Sequence, residues 1–374
     1  MRIVIRGLVL ALSASFSFCA SAQENTFVGE GSDTLMGIGA RYVAMGGVGA
    51  AFSDDVYAIY SNPANLARIS GPQISLSRQI NAELIPLNFA GAAFRLPLLR
   101  RAGISTTVGL AYIPRLHFRA SGQFSEDDFE SVFLRYALPG LFGDFDGTVE
   151  SKTKDYRIGF AFAPTGNERW SVGFSIGYID CATFVCGASA QSTAGVGMIT
   201  TRATAFTLNA GASFKLRDDL TLGISVKDLH TRLDVTVETT DENGTRVDTF
   251  ETGFPTDLTI GLLWNYSDTL DFTADYQTMF GSYGSYDMDV RILRLGAEKR
   301  LNNYAFRLGM VVPITINSSK LPEIVLPFPV APTAGVGWQN GRFSADLAVY
   351  AHPLMSYNKN GIFPAVDVTV TSSF

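Results

Sequence analysis

From Trp170 to Tyr178 the chain alternates without a break. Trp170, Val172, Phe174, Ile176 and Tyr178 are bulky and apolar, and Ser171, Gly173, Ser175 and Gly177 between them are small. The same two-residue period recurs in Phe206–Phe214, Leu220–Val226, Leu270–Tyr276, Tyr304–Met310 and Phe343–Val349, where the intervening positions are Thr, Ser, Asn, Gly or charged. A period of two is the signature of a strand with two unlike faces. Alternation by itself also fits a soluble sandwich. Length and the character of the second face separate the two readings. These runs are about 9 to 15 residues long, against about 5 to 6 for an ordinary strand and about 9 to 11 for one that crosses a bilayer at a tilt. Their small face holds glycines and isolated charges, which a wet or plugged barrel interior accepts and a sandwich core does not.

Fourteen such segments are predicted, at 72–80, 87–97, 103–116, 154–164, 169–180, 202–216, 219–230, 256–266, 269–280, 290–300, 302–313, 331–339, 341–351 and 363–374. The connections between them alternate short and long. The long set is 117–153, 181–201, 231–255, 281–289, 314–330 and 352–362, with 81–86 the brief exception. An even strand count with short turns at one end and long loops at the other predicts an all-β, antiparallel transmembrane barrel in the outer membrane of a Gram-negative bacterium. Both termini then lie on the short-turn side.

Composition supports this architecture. Hydrophobic types make up 47% of the 374 residues and charged types 17%, well below the ~25% charge of a soluble domain. Yet after the first twenty residues no stretch is apolar for the roughly 20 residues a membrane helix needs; the closest, 321–336, is broken by Glu323 and four prolines. Residues 1–22 read as a secretory signal peptide: Arg2 and Arg6, an apolar run from Leu8 to Phe18, and Ala20-Ser21-Ala22 before the cut. Its removal leaves 27 basic against 35 acidic residues, a net charge of −8, which excludes a globally basic nucleic-acid surface. Cys19 follows Ser17-Phe18, a poor lead-in for lipid attachment. The other cysteines, Cys181 and Cys186, have four residues between them in an exported chain, and a local disulfide is the expectation.

The segment 23–71 does not alternate. It is rich in glycine (Gly29, Gly31, Gly37, Gly39, Gly46, Gly47, Gly49) and poor in charge, with Asp54 and Asp55 placed to cap a short helix over Val56–Tyr60 that Asn62-Pro63 ends. Two placements suit it, a plug inside the barrel or a periplasmic cap. The domain reading is therefore signal peptide 1–22, plug 23–71 and barrel 72–374.

Gly39-Ala-Arg-Tyr-Val-Ala-Met-Gly-Gly-Val-Gly-Ala-Ala-Phe-Ser-Asp-Asp55, leading into Tyr60-Ser-Asn-Pro-Ala-Asn-Leu66, resembles the N-terminal signature of the FadL-type outer-membrane transporters of fatty acids and other hydrophobic compounds, and is similar to the PorV-type barrels of a secretion system. The resemblance covers roughly thirty residues; Asn62, Pro63 and Ala64 match the hatch motif, with Asp54 and Asp55 as its acidic pair. It implies a hatch filling a 14-stranded barrel and passive uptake of a hydrophobic small molecule such as a long-chain fatty acid or a hydrocarbon. The PorV-type alternative implies a barrel that binds secreted or surface proteins. The last strand, with Val366, Val368, Val370 and terminal Phe374 on one face, looks like the signal read by the barrel assembly machinery.

No catalytic constellation stands out, and no cofactor or metal is expected: His117, His230 and His352 are far apart and lack patterned acidic partners, and no serine is set apart as a nucleophile. By strand parity Asp155, Arg157, Asp271, Asp275, Arg294, Glu298, Arg307 and Asp346 point into the lumen, to pair with one another, with the plug, or to line a channel. The 117–153 connection has 7 acids against 3 bases and carries Phe129, Val132, Phe133 and Tyr136 at helical spacing. This helix, facing water and lipopolysaccharide, either caps the mouth or forms one wall of a ligand groove, with Leu326 and Phe328 of the apolar 321–330 stretch opposite. Gly173, Gly177, Gly211 and Gly223 are expected to let the wall bulge and open a lateral exit into the lipid.

Overall fold

The computed structural model describes residues 26–30, 33–80, 87–97, 99–124, 145–166, 169–180, 189–191, 198–241, 244–283, 286–318, 330–358 and 362–374. The signal-peptide reading lies outside them. The chain begins with β1 (Thr26–Glu30), followed by three single-turn helices, α1 (Asp33–Met36), α2 (Ala40–Val43) and α3 (Ala58–Ser61), and a 3-10 helix at Pro63–Arg68. The sheet then runs through β2 (Gln73–Gln79), β3 (Phe89–Leu96), β4 (Ile104–Phe124), β5 (Phe145–Pro164), β6 (Trp170–Asp180), β7 (Ser189–Gln191) and β8 (Met198–Arg217). It continues with β9 (Leu220–Leu229), β10 (Arg232–Asp241), β11 (Gly244–Gly253), β12 (Thr256–Ser267), β13 (Leu270–Tyr283) and β14 (Tyr286–Leu301). It ends with β15 (Tyr304–Ser318), β16 (Ala331–Asn340), β17 (Phe343–Ala351), helix α4 (Pro353–Asn358) and β18 (Pro364–Ser373).

Neighbouring strands are antiparallel, and β18 pairs back onto β2 (Thr369 opposite Ser77), so the sheet closes and has no free edge to aggregate. β9 and β10 both pair with β8 and form one wall strand; β11 and β12 continue each other in the same way. With β1 and the three-residue β7 set aside, the wall has fourteen strands. The molecule is a transmembrane antiparallel β-barrel.

The strands reach further than their alternation. β4 and β5 stay paired out to Phe124 opposite Phe145, a β10–β11 hairpin occupies 232–253, and β13 and β14 are separated only by residues 284 and 285. The expected loops 231–255 and 281–289 are thus largely strand, and the expected loop 117–153 is strand over 117–124 and 145–153, its middle lying outside the described residues. The physical reason is solvent. Residues 244–250 are exposed on both faces, and a strand with no apolar phase on either side carries no two-residue period. Within 352–362 the chain forms α4 rather than plain loop.

Inside the bilayer the two faces differ sharply. Ile176 is 45% exposed on the lipid side, while its neighbour Ser175 on the inner side is 0% exposed. All three tryptophans, Trp170, Trp264 and Trp338, sit outward near the short-turn end, as an interfacial belt does.

The inner face is small because it is covered. Residues 35–70 touch inward positions all round the ring, from Ser75 on β2 to Thr369 on β18. Tyr42, Met45, Val48, Phe52, Ile59 and Leu66 form one buried cluster with Phe89, Ile113 and Ala161 of the wall. At the long-loop end β1 pairs with β4, Glu30 opposite His117 and Thr26 opposite Ser121. At the short-turn end the Phe374 N–H donates to the Pro72 carbonyl at 2.9 Å. The N-terminal segment therefore runs the height of the barrel.

Candidate functional site

Single-turn helices leave many backbone groups without internal partners, and buried ones need partners from elsewhere. The wall supplies them. The Asp275 carboxylate accepts the N–H groups of Gly49 (2.7 Å) and Ala50 (2.9 Å). Arg294 donates to the carbonyls of Leu35 (2.6 Å) and Gly46 (2.9 Å), and Thr333 accepts Gly46 N–H at 3.0 Å while donating to Ala44 O at 2.9 Å. Asn62 is the joint between α3 and the 3-10 helix. Its Oδ1 accepts Ala64 N–H (3.1 Å), and its Nδ2 donates to Ala50 O (2.7 Å) and to Ala212 O of β8 (3.1 Å). Pro63 begins the 3-10 helix, where its missing N–H costs nothing.

The wall glycines serve this contact. A side chain on Gly211 would overlap the Asn62 carboxamide, and one on Gly223 would overlap the Ala50 carbonyl. Gly173 and Gly177 lie in regular pairing, opposite Gly211 and Thr207. The expectation that these glycines bulge the wall is corrected: Gly173, Gly211 and Gly223 give the N-terminal segment room, and Gly177 leaves space for Thr207, Asp155 and Arg157 of the wall. The register shifts fall elsewhere, at Pro114–His117 of β4, at Leu208–Ala210 and Lys215–Arg217 of β8 against β9, at Asn265–Ser267 of β12 and at Arg291–Ile292 of β14.

Near the short-turn end Arg41 bridges Asp54 (2.5 Å) and Glu298 (3.2 Å), tying the segment to the wall. Arg307 joins Glu298 and Asp346, both at 2.7 Å, and Arg300 joins Asp271 (2.5 Å) and Glu298 (2.8 Å). These groups border a polar cavity of about 630 Å³. Burial, and then the neighbouring Asp54, push the Asp55 carboxyl up to about 7, although it accepts the Tyr57 N–H at 2.9 Å.

Higher in the barrel two bulges converge. Arg115 and Leu116 of β4 stand against one residue of β5, and Lys227 and Asp228 of β9 stand against Asn209 of β8. Asp228 has φ 55, a left-handed backbone that its N–H bond to the Asn209 carboxamide (2.9 Å) accompanies. The bulges bring Arg115 and Asp228 together at 3.3 Å, beside Arg157–Asp155 at 2.7 Å and Lys227–Asp257 at 2.9 Å. Thr207 donates to Asp228 at 2.8 Å, and the ring of Tyr60 lies beneath Arg157 and Lys227. The sequence reading named Arg157 and Asp155 but missed Asp228, because simple alternation turns it outward. A turn-prone Lys-Asp-Leu-His-Thr stretch inside a strand was the available signal.

Level with Asp155 and outward of it, a buried apolar patch lies on the wall among threonines: Ile179, Ala203, Ala205, Leu233 and Val235 pack together, with Val237, Phe254 and Met288 against them. β14 shows the change on one strand, where inward Val290 and Ile292 give way to Arg294 and Glu298 toward the short-turn end.

The other site residues drawn from sequence, Phe129, Val132, Phe133, Tyr136, Leu326 and Phe328 of the groove and Cys181 and Cys186, lie outside the described residues. Of the histidines, His117 and His352 are buried and His230 is exposed. Burial pulls His352, in the connection after β17, down to about 4. Among the described residues no three His, Cys, Asp or Glu are arranged to hold a metal.

The sequence matches no protein-family model and no curated relative. The likeness is structural. The barrel is similar to the toluene transporter TbuX of Ralstonia pickettii, with a TM-score of 0.57 and 17% identity over 91% of this chain and 99% of that one. It is similar to the toluene transporter TodX of Pseudomonas putida (0.57, 16%, 91% and 99%) and to a FadL homologue of Pseudomonas aeruginosa (0.55, 13%, 90% and 97%). The chain has the FadL-type barrel fold. At such low identity the FadL-type likeness rests on backbone alone, and the residues that hold the N-terminal segment in place are read from this chain's own contacts.

Proposed function

We propose that the protein is an outer-membrane channel for passive uptake of hydrophobic small molecules, with residues 23–71 as its plug. One observation carries the reading: the inner wall is lined by apolar side chains toward the long-loop end, part of them packed against Met36, Ala40, Val43 and Ala44, and by polar and charged ones toward the short-turn end. An apolar ligand arriving from outside gains roughly 0.8 kcal/mol per buried methylene at such a wall. It would be stopped by the plug's hydrogen-bonded lower half. FadL-type neighbours that carry toluene support this reading; the protein-docking alternative draws no support from them. The long-loop end then faces lipopolysaccharide, and the barrel assembly machinery inserts the chain. The 126–138 helix and the 321–330 stretch remain proposed as the outer groove.

The test is uptake of a labelled hydrophobic compound by cells that produce the protein. Val235→Asp puts a charge on the apolar wall and should reduce uptake at unchanged barrel abundance. Uptake no greater than in cells without the protein would overturn the reading.

A further inference from the structure

We propose that Arg78, on the outer face of β2, is a binding site for a phosphate of the lipopolysaccharide anchor in the outer leaflet. This goes beyond the uptake reading and needs only the outer-membrane placement. Along β2 the lipid-facing stripe runs Ile74, Leu76, Arg78 and Ile80, all exposed, and Ser75, Ser77 and Gln79 between them are buried. An arginine thus stands where the alternation calls for an apolar residue. Its outward neighbours on β18 are apolar too: Val368 lies opposite Arg78, and Val370 opposite Leu76. Outward cations of other strands have acids beside them, Lys154 with Asp180 at 3.8 Å and Arg232 with Glu251 at 3.8 Å. Among the described residues no acid pairs with Arg78.

The regular wall is short here. β2 and β3 have 7 and 8 residues, fewer than the roughly 9 to 11 a strand needs to cross the bilayer at a tilt, whereas β4 has 21 and β5 has 20. At about 2.5 Å of height per tilted residue, Arg78 stands about 12 Å above Gln73, in an apolar band about 25 Å tall. A bare charge at that depth is costly, and a long side chain lowers the cost by lifting its head to the polar boundary. That boundary comes down to Arg78 from the long-loop side. β2 ends at the next residue, where Gln79 N–H turns to the Asn88 carboxamide at 2.7 Å, and backbone beyond a strand end needs water or headgroups. A planar guanidinium grips a phosphate with two parallel N–H bonds. The acyl chains of the same lipid lie against Ile74, Leu76 and Val370 below it, so the lipid completes the wall where two strands stop short.

The experiment purifies the whole barrel from membranes in detergent and supplies it with lipid A, with lipid A stripped of its phosphates, or with phosphatidylglycerol. Native mass spectrometry then counts the lipid retained. The wild type is expected to keep one lipid A at least fivefold more often than Arg78→Leu, and Arg78→Lys, which keeps the charge, to fall between them. The phosphate-free form and phosphatidylglycerol should stay at the Arg78→Leu level on the wild-type barrel. Equal retention of lipid A by the wild type and Arg78→Leu overturns the inference. Retention of phosphatidylglycerol or of the phosphate-free form equal to that of lipid A overturns it as well. Arg78→Leu completes the lipid-facing stripe and should assemble into a heat-modifiable barrel. Arg78→Gln is the second variant, with the same expected loss, should the first not assemble.

Discussion

The Asn62 carboxamide occupies the space where a Gly211 side chain would begin. Asn62 also bonds Ala50 O, Ala64 N–H and Ala212 O, so one side chain closes the N-terminal segment on itself and fastens it to β8. The absence of a side chain at 211 and the amide at 62 are a single device.

Gly211→Leu is expected to push Asn62 off β8 while leaving β8 in its lipid contacts. Overpacking of this kind costs about 1–3 kcal/mol, here at the N-terminal segment and not at the wall. Planar-bilayer conductance should rise from small, transient openings to larger ones, with the heat-modifiable gel shift retained. Unchanged conductance in a correctly assembled variant would show that 35–70 does not limit the pore.

Asn62→Ala removes the cap of the 3-10 helix, typically worth about 1 kcal/mol, together with the bond to Ala212. Limited proteolysis from the short-turn side should cut within 50–68 several times faster than in the wild type. Asn62→Asp keeps the Ala64 cap but cannot donate to Ala50 or Ala212, and should resemble Asn62→Ala. Wild-type protection in both variants would contradict the role given to the amide.

Asp55 gives the N-terminal segment a pH dependence with a definite sign. Its carboxyl is raised by burial and by Asp54 to about 7, above the ordinary ~3.9. The folded N-terminal segment therefore holds a proton that the opened segment releases, and its stability falls as pH rises from about 4 to about 7, then levels off. Hydrogen exchange at Tyr57–Ser61, corrected for intrinsic rate, should quicken over that window. Asp55→Asn keeps the acceptor for Tyr57 N–H and should flatten the profile; an unaltered profile would assign the effect to another group. His352 has the opposite sign, losing stability below about 6.5 as it is forced to charge.

Phe374 is exposed at the seam, its N–H bonded to Pro72 O beside the β18–β2 closure. Removing it should slow assembly and lower the heat-modifiable fraction in the outer membrane severalfold, with little change in the folded product. Recovery of the full-length protein in soluble periplasmic form would refute the membrane barrel altogether.

Much of this architecture is written in the chain itself. Lipid on one side and a packed N-terminal segment on the other impose opposite demands on successive residues. That contrast fixes a two-residue period from which the fourteen wall strands, their short turns and the inward set Asp155, Arg157, Asp271, Asp275, Arg294, Glu298, Arg307 and Asp346 can be read. Where the contrast vanishes the reading stops, as at the β10–β11 hairpin, whose faces both meet water. Only the tertiary structure decided which inward charges meet. Arg41 reaches Glu298 across 257 positions of sequence, and no local pattern encodes that. The bulges at Arg115 and Asp228 shift the alternation by one residue, bringing inward an acid that parity turns outward. The wall glycines likewise cannot be told from flexible joints until Asn62 and Ala50 are seen against them, because a missing side chain has no meaning until its neighbour is in place.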